Sequence, residues 1–111
     1  MTIYALSSGP GLSGVAVIRL SGSETDKVVL SLTKKSLPIP RVATLSKFID
    51  IKSKELIDEG IILWFPAPNS YTGEDMAEFH LHGSKAIIQA VLNNLSKIEN
   101  CRLAEAGEFT K

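Results

Sequence analysis

The sequence predicts an α/β (α+β) fold, with a mixed β-sheet of about five or six strands and two to three helices. Apolar patterns along the chain indicate the order strand, strand, helix, three strands, helix, strand. Strand pairs that alternate with helices are typical of a mixed sheet whose helices pack mainly on one face. The length of 111 residues suits one domain with one core. We therefore treat residues 1–111 as a single domain.

The predicted strands are short runs of apolar residues. They cover residues 3–8, 14–20, 42–51, 57–65, 76–82 and 102–104. Val15–Leu20 is rich in β-branched residues and apolar almost throughout, as expected for a strand that is buried on both faces. Arg19 interrupts this run.

The predicted helices cover residues 24–33 and 85–97, where apolar residues recur every three to four positions. Ser23 is a candidate N-cap of the first helix because Asp26 follows three positions later, in the style of a capping box. Ser84 or Gly83 is the candidate cap of the second helix.

The charge balance argues against a domain dedicated to binding nucleic acid. Twelve basic residues offset twelve acidic ones, whereas nucleic-acid domains usually carry a clear excess of lysine and arginine. Lys34, Lys35 and Arg41 lie near one another in the sequence, but three charges make a weak patch. We do not expect direct RNA binding by this chain.

The single cysteine, Cys101, excludes an internal disulfide and a multi-cysteine metal site. It is interpreted as a small strand residue rather than a nucleophile. A reducing, cytoplasmic location is expected. No apolar run approaches the ~20 residues needed to span a membrane.

Gly9–Gly14 has the spacing G-x-G-x-x-G. The dinucleotide-binding version of this motif opens a helix, so that helix N–H groups meet a pyrophosphate. Here the strand-forming Val15–Ile18 follows, and no Gly-Lys-Ser/Thr of a P-loop is present. We predict no GTP or ATP site within these residues.

Residues 76–82 alternate cleanly. Ala77, Phe79 and Leu81 are assigned to the core, and the other face carries Met76, Glu78, His80 and His82. Two histidines and a glutamate could hold a metal ion. The alternatives are a structural face and a site for an organic ligand, and the pattern leaves all three open.

Arg19, Glu78 and Tyr71 are the candidate ligand contacts. The Arg19 guanidinium either reaches water along the sheet or engages a carboxylate or ring carbonyl. The Glu78 carboxylate can accept parallel hydrogen bonds from an amino group and a ring N–H, an edge that pterins and guanines present. Tyr71 either packs in the core or supplies a flat wall for a ring.

The loop Asn69–Asp75 is the most informative segment, because it places an aromatic ring, hydroxyls and two carboxylates between two predicted strands. With Gly14–Gly22, Pro40–Arg41, His82–Gly83 and Gly107–Lys111, it resembles the N-terminal domain of the tRNA-modification GTPase MnmE (TrmE) family. The resemblance runs from Thr2 to Lys111.

The resemblance implies a module similar to the tetrahydrofolate-binding domains of one-carbon enzymes. Such a module binds 5-formyltetrahydrofolate and pairs with itself. The parent protein would continue into helical and G domains that hold GTP, Mg²⁺ and K⁺, so the chain is expected to be a fragment. With an FAD-containing MnmG-type partner, the parent would modify the wobble uridine of tRNA at carbon 5.

The predicted folate contacts are therefore Arg19 and Glu78, with Tyr71 as a ring wall and Lys111 as a partner for the folate tail carboxylate. No catalytic residue and no metal ligand is predicted in this fragment. Two alternatives belong to other classes. One is a pure dimerisation domain without a ligand, and the other is a small metal-dependent enzyme built on Glu78, His80 and His82.

Overall fold

The computed structural model describes residues 1–7 and 14–110. Its strands and helices follow one another in the predicted order and end in a short 3₁₀ helix, Glu108–Thr110. The six strands are β1 (Thr2–Leu6), β2 (Val15–Ser21), β3 (Thr44–Ile49), β4 (Leu56–Phe65), β5 (Met76–His82) and β6 (Cys101–Leu103). The two α-helices are α1 (Thr25–Thr33) and α2 (Lys85–Ser96).

All six strands form one mixed sheet in the order β3-β4-β5-β2-β1-β6. The pairing of β1 with β6 is parallel and the other pairings are antiparallel. The α/β fold class predicted from the sequence is therefore confirmed. Strands β2 and β5 lie at the centre of the sheet, where their register sets Arg19 opposite Glu78.

One face of the sheet packs against both helices and forms the core. Alternate residues of the central strands point to this face, and they are joined by Val28, Val29 and Leu32 of α1 and by Val91 and Leu95 of α2. Phe48 and Phe79 meet edge to face within it, with ring centroids 5.0 Å apart. Because side chains alternate along a strand, the remaining residues form a second face. This open face carries Val17, Arg19, Ile61, Leu63, Phe65, Glu78 and His80.

The start of α1 differs from the prediction. Its N-cap position is occupied by Glu24 rather than Ser23, and no side chain of α1 makes the capping bond. Instead, the Thr2 hydroxyl on the neighbouring strand accepts a 2.6 Å hydrogen bond from the Glu24 N–H. A tertiary contact thus satisfies a helix-end donor that a local cap usually satisfies. The cap predicted for α2 is confirmed, because Ser84 accepts from the Ile87 N–H.

Cys101 is the first residue of β6 and is half-buried, as expected for a small strand residue. Burial, assisted by the negative charge of Glu24, raises the pKa of its thiol. A raised pKa keeps the thiol protonated, which disfavours a nucleophilic role. Separately, the described residues contain no helix that is both long and apolar enough to cross a membrane.

Candidate functional site

A cavity of about 310 Å³ lies on the open face, where β4, β5 and β2 run side by side. Strand pairing places Glu78 between Arg19 on one neighbour and Leu63 on the other. The cavity is lined by Arg19, Phe65, Tyr71, Met76 and Glu78. Two charged groups and three apolar or aromatic side chains therefore converge on one space.

Arg19 and Glu78 form an ion pair in this cavity. Arg19 Nη2 lies 2.8 Å from Glu78 Oε2, and Arg19 Nε donates to the same oxygen at 2.9 Å. The Glu78 side chain keeps 18% of its surface exposed and that of Arg19 keeps 35%. The pair is thus partly shielded from solvent, yet still open to a ligand that enters from the cavity mouth.

The second oxygen of Glu78 has its own partner. His80 Nε2 lies 3.1 Å from Glu78 Oε1. Both carboxylate oxygens are therefore engaged by side chains of the open face, and the carboxylate is fixed in orientation. A ligand that binds Glu78 has to share or replace one of these contacts.

The loop between β4 and β5, residues 66–75, forms the rim of the cavity and is called the site loop below. Asp75 Oδ1 accepts from the Ala67 N–H at 2.8 Å, which closes the base of the loop. The Thr72 and Ser21 hydroxyls lie 2.7 Å apart and tie the loop to β2. Arg41 Nη2 donates to the Asn69 carbonyl at 2.6 Å.

Tyr71 stands on this loop with 72% of its surface exposed. The core-packing interpretation of Tyr71 is therefore wrong, since the ring lines the cavity instead. The loop is polar and its turns satisfy their own backbone groups.

The two histidines of β5 do not share a site. His82 turns to Asp58, with Nδ1 2.8 Å from Asp58 Oδ1, and its backbone N–H donates to Asp58 Oδ2 at 2.9 Å. His80 instead contacts Glu78. Across residues 1–7 and 14–110, no three His, Cys, Asp or Glu side chains converge as metal ligands would. Of the three residues in the metal-dependent alternative, Glu78 and His80 contact each other, whereas His82 contacts Asp58 instead.

Asp58 is a buried carboxylate, at 9% exposure. Burial alone would raise the pKa of its carboxyl group. The hydrogen bonds that it accepts from the His82 backbone and ring outweigh this, so the pKa is lowered from 3.8. Asp58 is consequently an ionised acceptor that fixes the end of β5.

Two residues near the site were missed in the sequence, and two predicted features lie outside the described residues. Phe65 was interpreted only as the end of an apolar strand, because its place in the cavity depends on the pairing of β4 with β5. Asp58 was interpreted as a polar interruption, although a carboxylate inside an apolar strand could have signalled a fixed partner. Lys111 and residues 9–13 of the glycine-rich segment lie outside the described residues.

The sequence of this chain is similar to those of known proteins. The family described as "GTP-binding protein TrmE N-terminus" matches residues 2–111. The chain is 67% identical over 111 residues to "tRNA modification GTPase MnmE" of Pelagibacter ubique (strain HTCC1062), covering 100% of this chain and 25% of that protein. It is 54% identical over 110 residues to "5-taurinomethyluridine-[tRNA] synthase subunit GTPB3, mitochondrial" of Danio rerio, covering 99% and 22%.

A third relative is "tRNA modification GTPase MnmE" of Zymomonas mobilis, which is 49% identical over 110 residues, covering 99% of this chain and 25% of that protein. The chain therefore spans about a quarter of the length of these relatives. Because the family match covers nearly every residue, the chain belongs to the family of GTP-binding protein TrmE N-termini.

Proposed function

We propose that this chain is the folate-binding, self-pairing N-terminal module of a GTPase that modifies the wobble uridine of tRNA at carbon 5. In this proposal the parent protein acts with an FAD-containing MnmG-type partner. The observation that carries the folate assignment is the joint placement of Arg19 and Glu78 in one half-open cavity with an aromatic rim. The tRNA assignment is supported by its relatives, which are named as tRNA-modifying proteins.

The chemistry of the cavity fits a flat, nitrogen-rich ring. Glu78 accepts hydrogen bonds from the amino group and the adjacent ring N–H of the pterin, and Arg19 donates to a ring carbonyl. Phe65 and Met76 supply apolar surface, and the Tyr71 ring covers the heterocycle. A volume of about 310 Å³ lies at the small end of ligand pockets and suits the ring system alone.

The remainder of the folate would lie outside this cavity. In the proposal, Lys111 pairs with the tail carboxylate, as the family resemblance implies. In the proposal, a second copy of the chain pairs through exposed apolar side chains such as Val15 and Leu45, which line a separate cavity. GTP, Mg²⁺ and K⁺ would bind the rest of the parent protein, so no residue described here is assigned to GTP chemistry.

Calorimetric titration with 5-formyltetrahydrofolate tests the proposal. The unaltered chain is expected to bind, and Glu78→Gln is expected to bind roughly 10- to 150-fold more weakly. This range corresponds to the loss of charge-assisted hydrogen bonds worth about 1.5–3 kcal/mol. Glu59→Gln is the matched control, because Glu59 is an exposed carboxylate on the neighbouring strand that does not line this cavity. Equal affinity in the two variants would remove Glu78 from the site.

A second candidate function is dimerisation without a ligand. It is favoured by one observation: both oxygens of Glu78 already have partners in the chain, so the cavity is stable when empty. Analytical ultracentrifugation on the same sample separates the two candidates. A folded dimer that shows no folate binding in the calorimeter would favour this second function over the first.

A further inference from the structure

The fold gathers five lysines at one corner of the molecule. Lys34 follows the last residue of α1, and Lys97 caps the end of α2. The turn between β3 and β4, residues 50–55, lies between these helix ends and carries Lys52 and Lys54. All four side chains are exposed, as is that of Lys35. We call Lys34, Lys35, Lys52, Lys54 and Lys97 the lysine surface.

Hydrogen bonds hold the turn against the end of α2. Asn94 Oδ1 accepts from the Ile51 N–H at 2.9 Å, and Asn94 Nδ2 donates to Asp50 Oδ2 at 3.1 Å. A cavity of about 290 Å³ opens here, lined by Ser31 of α1, by Asp50, Ile51 and Lys52 of the turn, and by Asn94, Lys97 and Ile98. The lysines are therefore brought together by fixed elements of the fold and not by chance side-chain positions.

The five lysines of this surface outnumber the acids beside them in the chain, which are Asp50, Glu55 and Glu99. Elsewhere in the described residues Lys27 pairs with Glu24, Arg19 with Glu78 and Arg102 with Glu108, but none of these five lysines has a carboxylate within 4.0 Å. Among the residues that the structure describes, Asp50 is the one acid that lines the cavity. Its oxygens are occupied by the backbone N–H groups of Lys52 and Ser53 and by Asn94.

Two of the lysines repel each other. The pKa of Lys54 is lowered, mainly by contact with the Lys34 amino group and to a smaller extent by partial loss of solvent. The nearby Asp50 carboxylate opposes this shift only in part. Lys54 Nζ also donates to the Ile51 carbonyl at 2.7 Å, which holds it in place. The negative ends of the helix dipoles account for Lys34 and Lys97, but they do not explain why the turn adds two more like charges.

We propose that the lysine surface binds backbone phosphates of RNA. Solvated lysines act as point charges that suit phosphate groups. Among the described residues, no arginine or aromatic side chain lines the cavity beside this surface, so nothing there is suited to read bases. The contact therefore positions an RNA without selecting its sequence. This inference rests on the proposed function in one respect only, namely that a tRNA-modifying protein meets RNA.

Fluorescence anisotropy with labelled bulk tRNA tests the inference. Binding through five phosphates predicts that affinity falls about 100-fold or more between 50 and 200 mM salt. The double variant Lys52→Gln/Lys54→Gln should bind more weakly and lower the slope of log K against log salt by about 2, roughly one for each lysine removed. The matched control is Lys47→Gln/Lys85→Gln, which removes the same charge at exposed positions on β3 and at the start of α2. The control should keep the slope of the unaltered chain.

Three results would overturn the inference. The first is that the unaltered chain does not bind tRNA at 50 mM salt. The second is that the control variant loses as much tRNA affinity as Lys52→Gln/Lys54→Gln. The third is that poly-glutamate binds as tightly as tRNA. The last would assign the surface to an acidic protein. The folate and tRNA titrations on the unaltered chain keep the two proposals separate. Normal folate binding with no tRNA binding removes only the lysine surface, whereas the reverse pattern removes only the folate site.

Discussion

At the scale of single residues, Glu78 shares its two carboxylate oxygens between Arg19 and His80. The sequence predicted that Arg19 and Glu78 serve one site, because Arg19 interrupts an apolar strand and the Glu78 carboxylate, on the polar face of an alternating strand, can accept parallel hydrogen bonds. It did not predict that they bind each other. Their contact depends on the register of β2 against β5, which joins residues 59 positions apart. His80 was left open between three interpretations for the same reason.

Asp58 gives a residue-scale prediction for stability. Its pKa is lowered in the folded chain, so its contribution is fully present above the unfolded value of 3.8 and is lost as the pH falls through the lower folded value. We expect Asp58→Asn to reduce the free energy of unfolding at pH 7 by about 1–2 kcal/mol, because the amide is a weaker acceptor for His82. The difference should shrink towards zero near pH 2.

Urea unfolding of both proteins across this range measures the effect. In acid the Asp58 carboxyl of the unaltered chain becomes neutral, so the two proteins then present the same charge to His82. A difference that stays constant from pH 7 to pH 2 would show that the ionised carboxylate does not contribute to stability.

At the scale of elements, local patterns carried enough information for the order of strands and helices but not for their arrangement. Periods of two and of three to four residues are properties of short segments, which is why β5 and α2 were placed within a residue or two. The sheet order β3-β4-β5-β2-β1-β6 depends on contacts between distant segments. The cap of α1 was wrong for the same physical reason, since Thr2 of β1 replaces the local side chain.

Gly60 gives an element-scale prediction. A Cβ added at Gly60 would lie 2.3 Å from the backbone carbonyl oxygen of His80. Gly60→Ala should therefore push β4 away from β5 and lower the free energy of unfolding by about 1–3 kcal/mol. It should also weaken folate binding, because β5 carries Glu78 and β4 carries Phe65. Urea unfolding and calorimetry measure the two effects.

Gly14→Ala is the control for Gly60→Ala. A Cβ added at Gly14 meets no atom within 4 Å. We expect this variant to unfold and bind like the unaltered chain. If Gly60→Ala is as stable as Gly14→Ala, the two strands do not approach each other as closely as described.

At the scale of the whole molecule, the two proposed surfaces lie on opposite sides of the sheet. The cavity of Arg19 and Glu78 is on the open face, while the lysine surface lies on the helix side, at the ends of α1 and α2. The equal numbers of acidic and basic residues conceal this arrangement. Only folding brings Lys52, Lys54 and Lys97 beside Lys34. Arg41, grouped with Lys34 in the sequence, instead holds the site loop through Asn69.

The central claim is that the cavity between Arg19, Glu78 and Tyr71 binds the folate ring. The most direct test follows the Arg19 Nε–H and the backbone amides by nuclear magnetic resonance while 5-formyltetrahydrofolate is added. We predict saturable shifts for Arg19 Nε–H, Glu78 and the site loop, with little change at Lys52 and Lys97. Binding that shifts the helix-side amides and leaves Arg19 Nε–H and the site loop unmoved would contradict the claim.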